Sequence, residues 1–281
     1  MEAVNNVFES LFTNRAIKYR EDKGFKHLDI AISVGVQKMV RSDKGCSGVG
    51  FTLEPESGFE NVVLLSGVWG LGENIVQGLA NPDEFYIFKP TLKQGKDAII
   101  QKKMGNKAKT MIYTASNNHA SIMNTNTPLE KQNQFILADD EIKTLAKWAV
   151  LIEEYYDKAM DIEWAKDGIT GDLFIIQARP ETVHQMKDKN LFYEYKLTEK
   201  SEILATGNAV GSKIVSGKAR ILNSSKEASK LKKGEIIVTD IITPDWDPIL
   251  KKSGGIIANN GGRTSHAAIV ARELGVPAVV G

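Results

Sequence analysis

The chain has 281 residues, enough for one large or two ordinary domains around a substantial core. Its 42% hydrophobic and 25% charged content is that of a soluble globular protein, and a formal net charge of +1 gives no reason to expect nucleic acid or an anionic membrane as partner. Cys46 is the only cysteine, which excludes an intrachain disulfide and a cysteine-based zinc cluster and fits a reducing cytoplasm. The first residues lack the basic and apolar regions of a signal peptide, and no apolar run approaches membrane-spanning length.

In chain order, residues 5–19 show helical periodicity, with Val7, Phe8, Leu11, Phe12 and Ile17 able to share one face. Arg15 and Arg20 in this stretch read as solvated charges, with phosphate contact as the alternative. Strands are expected over residues 30–40, 47–52, 62–65 and 85–88. A polar turn at 41–45, a loop at 54–58 and a glycine-punctuated entry to a helix at 69–78 separate them; glycine turns of that kind signal phosphate binding only weakly. Residues 91–135 are polar and irregular and are expected to hold short strands and a mobile loop but no chemistry, with His119 at the surface. Asp139 and Asp140 then cap a long helix whose stripe of Ile142, Leu145, Ala146, Ala149, Ile152, Tyr156 and Ala159 is a packing face.

Residues 161–180 carry the first candidate site. Asp167, Gly168 and Gly171 mark a turn between two strands. Glu163, Gln177 and Arg179 have the same parity, so if opposed residue numbers sum to an even value all three side chains leave one face of the hairpin. A carboxylate and an amide oxygen are hard ligands suited to Mg²⁺, and a neighbouring guanidinium suits a nucleotide phosphate. A hairpin with an ordinary polar outer face shows the same pattern.

Residues 182–200 are charged and without periodicity and read as a linker, with His184 solvated in it. Two short strands around glycines at 205–222 follow, then a short helix at 225–231 and a buried strand at 235–240. A loop at 243–248 enters a short helix at 249–252, before a strand at 255–258. Gly261 and Gly262 form a turn where positive φ carries no penalty, Thr264 and Ser265 are both N-cap candidates, and Gly275 with Pro277 closes the helix. His266 therefore falls in a first helical turn, where unpaired N–H groups and the positive dipole end favour an anion. Such a ring is either a satisfied structural residue or a neutral nucleophile whose phosphorylated form the helix end stabilises. Arg263 can fork onto phosphate oxygens and Thr264 can donate its hydroxyl. Residues 277–281 read as a strand just begun, so the chain is expected to stop short of the domain's end.

The run Gly-Gly-Arg-Thr-Ser-His-Ala-Ala-Ile-Val-Ala-Arg-Glu-Leu-Gly-Val-Pro-Ala-Val-Val-Gly closely resembles the phosphohistidine signature of the phosphoenolpyruvate-utilising enzymes. Within them the chain is most similar to the pyruvate, water dikinases, and the likeness, including Arg41-Ser-Asp-Lys-Gly and Asn81-Pro-Asp-Glu-Phe, covers essentially all of it. It implies an α/β (α+β) chain: a partial ATP-grasp-type nucleotide-binding domain over residues 1–188, a linker at 189–200 acting as hinge, and a truncated β/β/α swivelling phosphohistidine domain over 201–281. By that resemblance Glu163 and Gln177 would hold Mg²⁺, Arg179 would contact ATP phosphates, and Gln37, Met39 and Val40 would belong to the adenine-facing strand. His266 would carry the phosphoryl group, with Arg263 and Thr264 beside it. The implied reaction makes phosphoenolpyruvate, AMP and phosphate from pyruvate, ATP and water. The barrel domain that binds pyruvate or phosphoenolpyruvate and the start of the nucleotide domain are expected outside this chain, and a homodimer is one assembly open to the complete enzyme. The alternatives are a pyruvate phosphate dikinase, a dikinase acting on antibiotics or glucans, or an inert nucleotide-binding remnant.

Overall fold

The computed structural model describes residues 1–116, 119–181, 195–196, 198–199 and 201–281. The side chains of Arg15 and His119, the whole of His184 and most of the expected linker at 189–200 lie outside the described residues. Among those described, no helix is long and apolar enough to cross a membrane. The chain divides into two compact units, Met1–Met39 and Val40–Gly281.

In the first unit the single expected helix is two, α1 (Glu2–Glu9) and α2 (Asn14–Lys23), joined through a 3₁₀ turn at Ser10–Phe12. Thr13 makes the break: its backbone is extended and its hydroxyl accepts the Ala16 N–H at 3.3 Å, capping α2. Phe8 and Phe12 stay exposed, so the apolar stripe is not buried within this unit. Arg20 departs from its expected solvation, being only 6% exposed and donating from Nε to His27 Nδ1 at 3.0 Å. Residues 30–39, expected as most of a strand, carry no ladder. Alternation permits a strand, but only a hydrogen-bonded neighbour makes one.

The second unit is built on a six-stranded antiparallel sheet. Its elements are β1 (Cys46–Phe51), β2 (Val62–Trp69), α3 (Glu73–Val76), β3 (Asp83–Phe88), α4 (Lys89–Lys93) and β4 (Ile99–Lys103). They continue with the separate hairpin β5 (Lys109–Ser116) and β6 (His119–Asn126), then α5 (Leu129–Gln132), α6 (Asp139–Tyr156), β7 (Met160–Lys166) and β8 (Leu173–Pro180). The order across the sheet is β4-β3-β2-β1-β7-β8. One face packs Val63, Leu65, Phe85, Ile87, Ile162 and Trp164 against Ile142, Leu145, Ala146 and Ala149 of α6. The helical stripe read in the sequence holds up to Ile152 and fails at Tyr156, where α6 ends and Asp157 turns left-handed. The helix cap is Ala138, whose N–H donates to Glu141 Oε2 at 2.9 Å, with Asp139 and Asp140 inside the first turn. Trp164 lies flat over Gly48 and Gly67, where an added Cβ would stand 2.6 and 2.8 Å from its ring; no other residue allows that approach.

The described residues of the polar stretch at 91–135 carry regular structure in β4, the β5–β6 hairpin and α5. Lys107 is fully buried and pairs with Asp83 at 2.6 Å, and Asp83 also accepts the N–H groups of Gly105 at 2.8 Å and Ile136 at 3.0 Å. Burial pushes the Asp83 carboxyl up, and Lys107 with the two amides works against that.

The remaining elements form a five-stranded sheet of order β10-β11-β12-β13-β9. They are β9 (Asn208–Val210), β10 (Ala219–Ile221), β11 (Ile236–Thr239), α7 (Asp247–Leu250), β12 (Gly255–Ala258), α8 (His266–Leu274) and β13 (Ala278–Val280). Pairing is parallel from β10 to β13 and antiparallel from β13 to β9. Alternating strand and helix over residues 219–280 produces this parallel pattern, and Ala267, Ala268, Val270 and Ala271 of α8 close its core with Ile237, Leu250 and Ile256.

Two consequences can be measured. Asp83→Ala leaves the buried Lys107 ammonium uncompensated and is expected to cost about 3–5 kcal/mol in urea unfolding, whereas the apolar pair Asp83→Leu with Lys107→Met should recover most of that loss. At the edge of the second sheet, the Arg220 guanidinium and the Lys232 N–H hold Glu235 down at about 2 from its ordinary 4.5. A depressed carboxylate stabilises the fold above its unfolded value and loses that contribution as pH falls through the folded one. The gap in unfolding free energy between the parent and Glu235→Gln should therefore shrink from pH 4.5 toward pH 2.

Candidate active site

Glu163 stands directly opposite Gln177, and Asp161 opposite Arg179. Both sums are even, so Glu163, Gln177 and Arg179 leave one face of the hairpin, joined by Asp161. The register shifts between Glu163 and Trp164, where Glu163 pairs with Gln177 but Trp164 pairs with Ile175, so Ile176 is an extra residue on β8 and Ile175 comes to the core side opposite Trp164. The Arg179 guanidinium, expected to await a phosphate, is paired with Asp161 through Nε and Nη2, both at 2.7 Å from Oδ2. Burial pushes the Asp161 carboxyl up, with Arg179 opposing. Burial also works against the charge on Arg179, yet Asp161, with Glu163 and Glu273, holds the guanidinium above its ordinary value.

The registers carry this face across the sheet. Tyr86, Leu64, Phe51, Asp161 and Arg179 form one row, and Lys103, Glu84, Ser66, Val49, Glu163 and Gln177 form the next. Directly opposed side chains share a face, so Tyr86 and Glu84 stand on the same side as the hairpin residues. At about 4.8 Å per strand, β3 and β7 are about 14 Å apart.

On the second sheet, Ser265 is the N-cap of α8, accepting from Ala268 N–H at 3.4 Å, and Gly275 closes the helix in the left-handed region. Thr264, the other cap candidate, is 1% exposed, and its Oγ1 has no partner among the described residues. Gly261 takes φ 118°, as the turn requires. His266 is the first residue of the helix, and its side chain is 11% exposed. Its Nε2 lies 2.7 Å from Asp247 Oδ1 at the start of α7. The ring is thus held by a carboxylate.

The turn before α8 lies against the polar face of the first sheet. Arg263 donates to the Tyr86 hydroxyl at 3.3 Å and stands 4.0 Å from Glu54 Oε1. Glu56 accepts from Gly211 N–H at 2.7 Å and from Arg272 Nε at 2.9 Å, and Arg272 Nη2 also donates to the Arg263 carbonyl. Gly78, from the glycine stretch read in the sequence, faces Gly261 and Ser265. The structure therefore gathers Arg263, Thr264 and His266 in one cluster and Glu163, Gln177 and Arg179 in another, both on one side of the six-stranded sheet. Gln37 and Met39 are exposed in the first unit, and Val40, the first residue of the second, is half-buried. An open groove of about 510 Å³ between α6 and the β7–β8 turn holds none of these residues.

Sequence reasoning missed Asp161, Tyr86, Glu54, Glu56 and Asp247. Asp161 was within reach, since it has the parity of Glu163 two residues on. The others meet their partners only through tertiary packing. Comparison with known proteins decides the family. Residues 1–199 match the pyruvate phosphate dikinase AMP/ATP-binding domain, and residues 231–281 match the mobile domain of PEP-utilising enzymes. The chain belongs to the pyruvate phosphate dikinase AMP/ATP-binding domain family. It is 55% identical over 290 residues to the phosphoenolpyruvate synthase of Aquifex aeolicus, covering 99% of this chain and 34% of that protein. Identity is 50% to the Helicobacter pylori phosphoenolpyruvate synthase, over 99% of this chain and 36% of that one. For the Escherichia coli phosphoenolpyruvate synthase it is 48%, over 99% and 35%. The chain thus spans about a third of the length of these curated relatives. In this family member one support of the mobile-domain match is Glu56, in the loop between β1 and β2. Removing that carboxylate as Glu56→Ala leaves Arg272, whose side chain is 5% exposed, with only a carbonyl partner in that contact, so hydrogen exchange at the Gly211 amide and along α8 is expected to rise by tenfold or more, on the order of 1.4 kcal/mol.

Proposed function

We propose that the chain is the nucleotide and phosphohistidine portion of a phosphoenolpyruvate synthase, a pyruvate, water dikinase. The observation that carries this reading is His266 at the capped start of α8, on a turn seated through Arg263 and Arg272 against the sheet face that bears Glu163, Gln177 and Arg179. Residues 1–188 act as an ATP-grasp-type nucleotide domain, 189–200 as the hinge and 201–281 as a β/β/α swivelling carrier. Gln37, Met39 and Val40 face adenine. Pyruvate is met on a barrel domain outside these residues.

The donor set suits Mg²⁺. No three His, Cys, Asp or Glu side chains cluster as a self-sufficient cage among the described residues, and Mg²⁺ bound with a nucleotide needs no more than one or two protein oxygens beside phosphates and water. Glu163 and Gln177, opposed across the hairpin, offer that pair. When bound, the ion neutralises phosphate charge and orients the phosphates. Arg179 then exchanges part of its pairing with Asp161 for phosphate oxygens. His266 attacks the β-phosphorus, forming the N–P bond as the P–O bond to AMP breaks, with Arg263 and Thr264 holding the developing charge. The pyrophosphorylated ring then loses its terminal phosphate to water. The carrier passes the remaining phosphoryl group to the pyruvate enolate at a separate, water-controlled site.

Incubation of the chain with Mg·ATP labelled at the β-phosphorus tests this reading. Acid-labile label on the protein with stoichiometric AMP is expected, both abolished in His266→Asn, and Glu163→Ala should lower labelling at least 100-fold, on the scale of a lost charge-stabilising group. Tight binding of Mg·ATP without any label would leave a nucleotide-binding remnant instead.

A further inference from the structure

Asp247 has no part in the phosphotransfer scheme above, yet its carboxylate meets the ring nitrogen of the proposed carrier at 2.7 Å. It is the first residue of α7 and is gripped on both sides: Trp246 before it and Ile249 and Leu250 after it are buried in the core of the second sheet. Pro248 further restricts the backbone of this turn. A carboxylate anchored in this way holds the His266 ring at a defined rotation, since α7 packs against α8. The nitrogen it holds is Nε2, the outer one. Nδ1 is the ring nitrogen nearer the residue's own main chain, which leaves Nε2 as the less hindered one for a phosphorus atom.

We propose that Asp247 orients His266 and accepts its Nε2 proton during phosphoryl transfer, an assignment that rests on the phosphohistidine reading above. In the resting pair one proton is shared between Nε2 and Asp247 Oδ1, and Nδ1 carries the other. As the Nε2 lone pair forms the bond to phosphorus, the shared proton stays on Oδ1. The P–O bond to the leaving AMP breaks with its electron pair on the AMP oxygen. The ring is left as an imidazolium cation, with Nδ1–H and Nε2–P. Asp247, whose side chain is 32% exposed, then returns the proton to solvent. A carboxylate in this place serves as general base and fixes the ring, as second partners of reactive imidazoles do elsewhere. The bond between Asp247 and Nε2 and the bond between Nε2 and phosphorus exclude each other, so every turnover breaks and remakes the tie between α7 and α8.

The test uses Asp247→Asn and Asp247→Glu with two readouts on the chain. Long-range ¹H–¹⁵N spectra of the imidazoles, with the His266 signals assigned through His266→Asn, report the ring directly. The parent is expected to show a hydrogen-bonded Nε2 proton that shifts in Asp247→Asn and is kept in Asp247→Glu. The rate of labelling from β-labelled Mg·ATP at saturation should fall about 100-fold in Asp247→Asn with half-saturation by ATP unchanged, and recover to within about tenfold of the parent in Asp247→Glu. A residue that only props the fold would not separate the two variants in this way. Should Asp247→Asn unfold, its spectrum will show it, and Asp247→Glu against the parent decides. A labelled parent with equal labelling in both variants, or His266 signals untouched by Asp247→Asn, overturns the assignment alone. A parent that binds Mg·ATP and is never labelled removes the phosphohistidine reading and this assignment with it.

Discussion

The pairing of β7 with β8 governs everything on the nucleotide side. Side chains alternate between faces along a strand, so a slip of one residue would send Gln177 and Arg179 to the side where α6 packs and would leave Glu163 without its opposite. The apolar residues between them prevent it. Ile162 and Trp164 enter the core by simple alternation while Glu163 and Asp161 remain on the polar side, and the extra residue Ile176 of β8 keeps Gln177 on the polar side with Ile175 on the apolar one. Gly48 and Gly67 make room for the indole, whose Nε1 donates to the Val49 carbonyl at 3.1 Å. The hydrophobic demand of one face thus positions the hydrophilic chemistry of the other.

The contact between the two sheets is of a different kind. Its polar contacts join Arg263 with Tyr86 and Glu54, Arg272 with Glu56, and Lys103 with Asn208, and it is incompletely satisfied. Glu54 Oε1, Arg263 Nε and Thr264 Oγ1 are buried there without hydrogen-bond partners among the described residues. Buried polar atoms left unpaired cost stability, so a junction that contains several is less tightly closed than a core. That suits the proposed swivel, in which the carrier must leave the nucleotide face on every cycle. A dry apolar seam of similar extent would be harder to open.

Several features were legible before any coordinates. The glycine turn, the hydroxyl cap and Gly275 bound α8 correctly because capping is local chemistry, acting within one helical turn. The α6 stripe was legible because a helix imposes its period on whatever it buries, and it failed at Tyr156 because the helix ends there. Residues 30–39 were misread for the opposite reason: a ladder depends on a neighbour that the segment itself does not name. The burial of Lys107 was not legible, because a polar composition gives no sign that Asp83 will draw an ammonium into the interior.

The sequence by itself determined the elements whose signals are local: the hairpin turn, the common parity of Glu163, Gln177 and Arg179, the helix start at His266 and the likeness that led to the family. Tertiary structure alone decided the even register that turned parity into a shared face, the meeting of Arg263 with Tyr86, the hold of Glu56 on Arg272 and the bond from His266 to Asp247. The reason is range. Capping, turn and periodicity preferences act over a few residues, whereas these pairings join positions from 14 to 216 apart on an even-numbered register or across separate elements, and only packing of the intervening chain brings them together.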